Sequence, residues 1–119
     1  MKVGIDMIEI ERIEKSISNP SFVKRVYTEG EYRYFSAKKN GAESAAGFFC
    51  AKEAFAKALG TGIGAVNFAD IEVAHDEKGA PYLILHGEAA HLAEGLTPSL
   101  SITHHRTAAA AIVILEDAK

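Results

Sequence analysis

Ser44-Ala45-Ala46-Gly47-Phe48-Phe49-Cys50-Ala51-Lys52-Glu53-Ala54-Phe55-Ala56-Lys57-Ala58-Leu59-Gly60 is the stretch on which the fold turns. It is rich in alanine, free of proline, and closed by a glycine suited to a helix C-cap, so it reads as one long helix. At about 100° per residue, Phe48, Phe55 and Leu59 fall on a single stripe. Glu53 and Lys57 are four residues apart and lie far round from it. On an isolated helix they would form a surface pair worth about 0.3 kcal/mol. Ala or Phe fills most other positions, so much of the circumference is expected to be buried. A glutamate and a lysine on such a helix are candidates for a site.

Working towards the N-terminus, Tyr32, Tyr34 and Phe35 suggest a short helix. Thr28-Glu29-Gly30-Glu31 is its capping box, with Thr28 as N-cap and Glu31 reaching back. Phe22, Val23 and Val26 fit another short helix begun near Asn19-Pro20. Ile10, Ile13 and Ile17, with acids and Arg12 between them, fit a third. Lys2 to Ile8 reads as a strand in which Val3, Ile5 and Met7 alternate with Gly4 and Asp6.

Working towards the C-terminus, Thr61-Gly62-Ile63-Gly64 reads as a loop. Ile71 to Ala74 and Tyr82 to Leu85 pair across an Asp76-Glu77-Lys78-Gly79 turn. Gly87 to Glu94 is a short helix stopped by Gly95. Leu100 to His104 and Ala108 to Leu115 are strands joined by a turn near His105-Arg106. The expectation is one α+β domain over 1–119, a mainly antiparallel sheet packed on one long helix plus short N-terminal helices.

Composition narrows the functional classes. The 119 residues are 48 % hydrophobic and 24 % charged, ordinary for a globular chain. The longest apolar run, Ala108 to Leu115, is too short to cross a bilayer. No apolar core of a secretory leader follows Met1. One cysteine, Cys50, rules out an internal disulfide and a cysteine-rich zinc site, so a cytoplasmic location is expected. The net charge of −3 argues against a general nucleic-acid binder. Residues 1–39 carry eight Lys/Arg against six acids, a balance of +2, and the rest of the chain carries −5. A relatively basic N-terminal third suits an acidic partner; its plain alternative is a solvated surface of mixed charge.

Four features carry possible chemistry. Asp6 interrupts an apolar strand, where a carboxylate is costly unless paired, hydrogen-bonded or bound to a metal. Its plain alternative is a place on the solvent side of the sheet. Glu53 and Lys57 are the second. The Gly60-Thr61-Gly62-Ile63-Gly64 loop brings backbone N–H groups that suit a phosphate, although its spacing matches no Walker or dinucleotide motif. In Ser101-Ile102-Thr103-His104-His105-Arg106, neighbouring histidines on a strand point to opposite faces, which disfavours zinc. Two separated carboxylates, a lysine and a glycine-rich loop suit a hard divalent cation with a phosphate ligand.

These residues resemble the short bacterial 4′-phosphopantetheinyl transferases, the stand-alone holo-[acyl-carrier-protein] synthase family. The likeness runs nearly end to end: Gly4-Ile5-Asp6 with Glu9 and Arg12-Ile13, Phe22 and Arg25 before Glu31, Ala51-Lys52-Glu53-Ala54-Phe55 with Lys57-Ala58 and Gly60-Thr61-Gly62, Gly79-Ala80-Pro81-Tyr82, and Ser101-Ile102-Thr103-His104. The resemblance implies transfer of 4′-phosphopantetheine from coenzyme A to a serine of apo acyl carrier protein, with 3′,5′-ADP leaving. It implies that Asp6 and Glu53 hold Mg²⁺, that Lys57 contacts the phosphates, and that Gly60, Thr61 and Gly62 line the nucleotide pocket. Pro81 would flank the adenine, and Thr103 and His104 would meet the adenosine and its 3′-phosphate. The serine proton would go to Glu53, directly or through water, or to a metal-bound hydroxide; the sequence leaves these open. The family also implies a homotrimer with interfacial active sites, Thr103 and His104 coming from a neighbour. An acidic carrier would dock on Arg12, Lys15, Lys24 and Arg25. The chain departs from the family pattern at Phe48, where a basic residue is common, at Ala56, where serine is common, and at His105, where threonine is usual. The competing readings are a Mg²⁺-dependent transferase or hydrolase acting on another nucleotide, and a binding module in which Asp6, Glu53 and Lys57 form a structural ion-pair network.

Overall fold

The computed structural model describes residues 1–61 and 64–118. The elements run β1 (Lys2–Glu9), α1 (Ile10–Ser16), α2 (Pro20–Val26), α3 (Glu29–Ser36), α4 (Gly41–Leu59), a 3₁₀ turn (Phe68–Asp70), β2 (Ile71–His75), β3 (Pro81–Leu85), α5 (Gly87–Leu92), β4 (Leu96–His104) and β5 (Ala108–Asp117). Among the described residues two sheets form, both antiparallel. One has the order β1-β5-β4, and the other is the β2–β3 hairpin.

Local chemistry sets the helix ends. Asn19 caps α2 by accepting a hydrogen bond from the Ser21 backbone N–H, and Pro20 opens the helix. The capping box of α3 forms as the sequence suggests, with Thr28 and Glu31 satisfying each other's backbone N–H. Helix α4 begins at Gly41, three residues before the expected Ser44, and ends at Gly60 in the left-handed conformation with φ 78°.

Helix α4 is the core. Thirteen of its residues are buried, among them Phe48, Phe55 and Leu59 of the predicted stripe. Its small side chains let it lie close under the three-stranded sheet. Gly4 marks the tightest approach: a Cβ there would fall onto the Ala54 carbonyl and lie 2.7 Å from the Ala58 nitrogen. Only a glycine fits between strand and helix at that point.

That contact fixes the facing of β1, because strand residues alternate between faces. Gly4, Asp6 and Ile8 point towards α4. Val3, Ile5 and Met7 point outward, with exposures of 54 %, 63 % and 70 %. The solvent-side alternative for Asp6 is thereby overturned, since its side chain is 17 % exposed and sits on the helix side.

Strand β4 starts at Leu96, four residues earlier than expected. Pro98 lies within it, and the sheet order makes β4 an edge strand, where a missing N–H donor is tolerated. Leu96, Pro98, Leu100 and Ile102 are half-buried, and alternate residues Thr97, Ser99, Ser101 and Thr103 are exposed.

Candidate active site

Three side chains named from the sequence meet where β1 crosses α4. Lys57 Nζ donates to Asp6 Oδ1 at 3.1 Å and to the Ile5 carbonyl at 3.0 Å. Glu53, one turn earlier on α4, is 8 % exposed. The simple Glu53–Lys57 helix pair is not formed; the lysine reaches across to the strand instead. Burial pushes the Glu53 carboxyl above the usual carboxylate range. Repulsion from Asp6 adds to the rise, and Lys57 partly offsets it. Glu53 is thus a proton acceptor of raised basicity beside a second carboxylate.

Cys50 lies one turn before Glu53 on the same helix. Its Sγ donates to the Ala109 carbonyl at 3.4 Å, and the residue is fully buried. Burial, followed by the charge of Asp6, pushes the thiol up to about 12, so it stays protonated and unreactive at neutral pH.

Glu53 also borders a cavity of about 410 Å³ lined by Phe22, Arg25, Val26, Phe49 and Phe68 among others. The rings form a wall: Phe22 stacks on Phe49 with centroids 6.2 Å apart, and Phe49 meets Phe68 edge-on at 5.6 Å. A brace not foreseen from the sequence holds that wall. Lys52 Nζ, fully buried, donates to Glu31 Oε1 at 2.8 Å, to the Phe68 carbonyl at 2.9 Å and to the Ile71 carbonyl at 2.6 Å. Glu31 in turn accepts from the Val73 N–H at 2.7 Å and the Thr28 N–H at 2.8 Å. Burial draws the Lys52 ammonium below its ordinary value, and the Glu31 carboxylate opposes that shift. The sequence signal was a lysine amid alanines; Glu31 already had a role as a capping residue, which hid its second partner.

The remaining predicted residues fall into separate places. Pro81 and His104 share a pocket of about 210 Å³ with Tyr34, Lys38, Phe48 and His75. There His75 stacks on Tyr34 at 4.3 Å, and His104 Nδ1 lies 3.1 Å from Glu43 Oε2. Thr103 is on the other face of β4 and borders a small hollow with Ile5, Ser101 and Ile112. In register, Asp6 stands opposite Ala111, which stands opposite Ile102. Asp6 and His104 of one chain are therefore two strands and two residues apart, about 12 Å from strand spacing alone. Gly60 and Thr61 are exposed at the end of α4. Gly62 lies outside the described residues.

The four basic residues expected at a docking surface separate as well. Arg25 lies with Phe22 on the rim of the Glu53 cavity, its guanidinium 5.8 Å from the ring centre. Lys24 faces a different groove with Pro20, Val23, Tyr27 and Tyr32. Lys15 is paired with Glu11 on α1, and Arg12 is exposed on the same helix.

Asp6 and Glu53 supply oxygen donors only. Among the described residues no cluster of three or more His, Cys, Asp or Glu side chains could hold a metal. A pair of carboxylates that repel each other, with no soft or imidazole ligand beside them, fits a hard cation such as Mg²⁺ completed by substrate oxygens. It does not fit a structural zinc.

Comparison with known proteins identifies the family. The family model described as the 4′-phosphopantetheinyl transferase superfamily matches residues 2–113. The chain is 45 % identical over 116 residues to a holo-[acyl-carrier-protein] synthase of Thermoanaerobacter pseudethanolicus, covering 94 % of this chain and 84 % of the relative. A crystal structure of the Bacillus anthracis holo-(acyl-carrier-protein) synthase, in complex with CoA (3′,5′-ADP), superposes with a TM-score of 0.85 at 42 % identity, covering 98 % of this chain and 96 % of that one. The Helicobacter pylori holo-[acyl-carrier-protein] synthase, in complex with coenzyme A, gives 0.83 at 34 % identity, covering 96 % and 99 %. With the long helix, its Lys-Glu motif and the strand carboxylate all in place, this chain belongs to the 4′-phosphopantetheinyl transferase superfamily.

Proposed function

We propose that this chain transfers 4′-phosphopantetheine from coenzyme A to a serine hydroxyl of apo acyl carrier protein, releasing 3′,5′-ADP in a Mg²⁺-dependent reaction. The observation that carries the reading is the convergence of Asp6, Glu53 and Lys57 at the β1–α4 crossing. The serine oxygen forms a bond to the phosphorus that bears pantetheine. The bond from that phosphorus to the bridging pyrophosphate oxygen breaks, and the electron pair leaves on 3′,5′-ADP.

Asp6 and Glu53 would hold Mg²⁺, which supplies charge neutralisation of the pyrophosphate when bound. Lys57 adds a positive charge that can reach the departing phosphate. Glu53, directly or through a water it positions, would take the serine proton. Phe22, Phe49 and Phe68 give the cavity beside Glu53 an apolar wall. The work is mostly positioning and electrostatics, as phosphoryl transfer requires.

Gly60, Thr61 and Gly62 line the nucleotide site in this reading, with Pro81, Thr103 and His104 around the adenosine and its 3′-phosphate. The separation of His104 from Asp6 within one chain suits a site built by two neighbouring protomers, and the family resemblance makes that assembly a homotrimer. A second observation supports association. Val3, Ile5 and Met7 lie beside Ile112 and Ile114 of β5, an apolar sheet face turned to solvent in one chain. The acidic carrier docks on the N-terminal helices through Arg12, Lys15, Lys24 and Arg25, with Arg25 nearest Glu53. A cytoplasmic location suits a single buried thiol.

The test is incubation with coenzyme A, Mg²⁺ and an apo carrier, followed by intact mass spectrometry of the carrier. A mass gain of one phosphopantetheine, lost without metal or in Glu53→Ala, is expected. No gain with several carriers would overturn the reading. Turnover of coenzyme A without any carrier would favour a hydrolase instead.

A further inference from the structure

Asp6 has one carboxylate and two suitors. Lys57 Nζ holds it at 3.1 Å and anchors itself on the Ile5 carbonyl at 3.0 Å. The lysine side chain is half exposed, whereas Asp6 is 17 % exposed and Glu53 is buried. One ammonium therefore sits at the mouth of a two-carboxylate space. A divalent cation drawn to that space would need the Asp6 carboxylate and would be repelled by the ammonium beside it.

We infer that Lys57 is an internal competitor for the cation site and has two working positions, one on Asp6 and Ile5, the other swung out to meet a phosphate. The inference rests on the reading that Asp6 and Glu53 hold the cation. Departure is easy on the lysine side, because that end of the pair is half exposed and the released ammonium goes to water, while the arriving cation takes over the Asp6 charge. The four-carbon stem of Lys57 leaves α4 in its last turn, so it can move without disturbing the helix.

Two consequences follow from the charges. A monovalent ion gains no more at Asp6 than the ammonium it displaces, so the lysine selects for divalent ions. A phosphate collects the lysine that the cation releases, so cation and phosphate-bearing substrate strengthen each other's binding reciprocally. Lys57 thereby helps set the affinity and charge preference of the site before it touches substrate.

The test needs no turnover. Mn²⁺ is titrated into the purified chain without nucleotide, and free Mn²⁺ is read from its paramagnetic resonance signal. Lys57→Met is expected to bind Mn²⁺ about tenfold more tightly than the unaltered chain, and Asp6→Asn to lose binding. In a second arm on the unaltered chain, acetylation of Lys57 is followed by peptide mass spectrometry, and its rate should rise across the Mn²⁺ titration. Equal or weaker binding by a folded Lys57→Met, with binding still lost in Asp6→Asn, would overturn the exchange and leave the cation site standing. So would a Lys57 acetylation rate that Mn²⁺ does not change. Binding unaltered in Asp6→Asn, or no binding by any variant, would remove the cation site and the inference together.

Discussion

Lys52 and Glu31 form an ion pair 2.8 Å long with neither side chain exposed, and the pair ties α3 to α4. Every polar atom in it has a partner, because Lys52 also holds two carbonyls and Glu31 two backbone N–H groups. Removing one charge leaves the other buried and alone. Lys52→Met is expected to cost about 4 kcal/mol, read as a lower urea midpoint. Glu31→Gln added to Lys52→Met should recover about 1 kcal/mol of that: the lone charge is gone, but the amide NH2 meets a backbone N–H that the carboxylate accepted. A double variant less stable than the single would contradict this account.

Glu53 carries the opposite sign. Its folded-state carboxyl titrates above the unfolded value, because burial first, and Asp6 second, disfavour the anion. The folded chain therefore binds this proton more tightly. The stability from this group is present below the ordinary carboxylate range and is lost as pH rises through the raised value. Glu53→Gln should stabilise the chain near pH 7 by about 1 kcal/mol, visible as a Tm higher by a few degrees, while transfer falls by about 10²-fold or more. The stability gain should fade below about pH 4, where the native glutamate is itself neutral. A gain that does not vary with pH, or a loss at pH 7, would speak against it.

Gly4→Ala probes the strand–helix contact. The added Cβ meets backbone of Ala54 and Ala58, and backbone cannot step aside as a flexible side chain can. A destabilisation of about 3 kcal/mol is expected from denaturant titration. Transfer should fall with it, since Asp6 is displaced along with the strand. An unchanged urea midpoint would mean that β1 and α4 are further apart than described.

Ile5→Arg tests the open sheet face. In an isolated chain this exposed position should tolerate arginine within about 0.5 kcal/mol. In the proposed trimer, three arginines would enter an apolar contact, and sedimentation equilibrium should report monomers with little activity. A mass unchanged by the substitution would place the subunit contact elsewhere.

The balance between these expectations and the sequence is uneven for physical reasons. Local signals were legible: the capping box at Thr28 and Glu31 and the αL cap at Gly60 depend on neighbours within a few residues. The facing of β1 was not. Val3, Ile5 and Met7 form the apolar set that pattern alone would turn inward, and only the Gly4 contact with a helix some fifty residues away turns it outward. Pro98 hid the first half of β4, because a proline reads as a break until the strand is known to be an edge. At the site, Asp6, Glu53 and Lys57 stood out as charges in apolar surroundings. Lys52 carried the same signal, yet its partners, Glu31 on α3 and the carbonyls of Phe68 and Ile71, lie in parts of the chain brought together only by the fold.

The sheet order β1-β5-β4 has a bearing on how the chain is made. β5 is the middle strand, and among the described residues β1 has no other sheet partner. During synthesis the first strand emerges from the ribosome with Val3, Ile5 and Met7 and must wait for the last before it can pair. Through that interval the nascent polypeptide presents an unpaired apolar ribbon, the kind of segment that chaperones hold and that aggregates when they are scarce. Closing so distant a pairing also slows folding. The yield of active protein in the cell should therefore fall when chaperones are scarce, even with the stability of the finished fold unchanged.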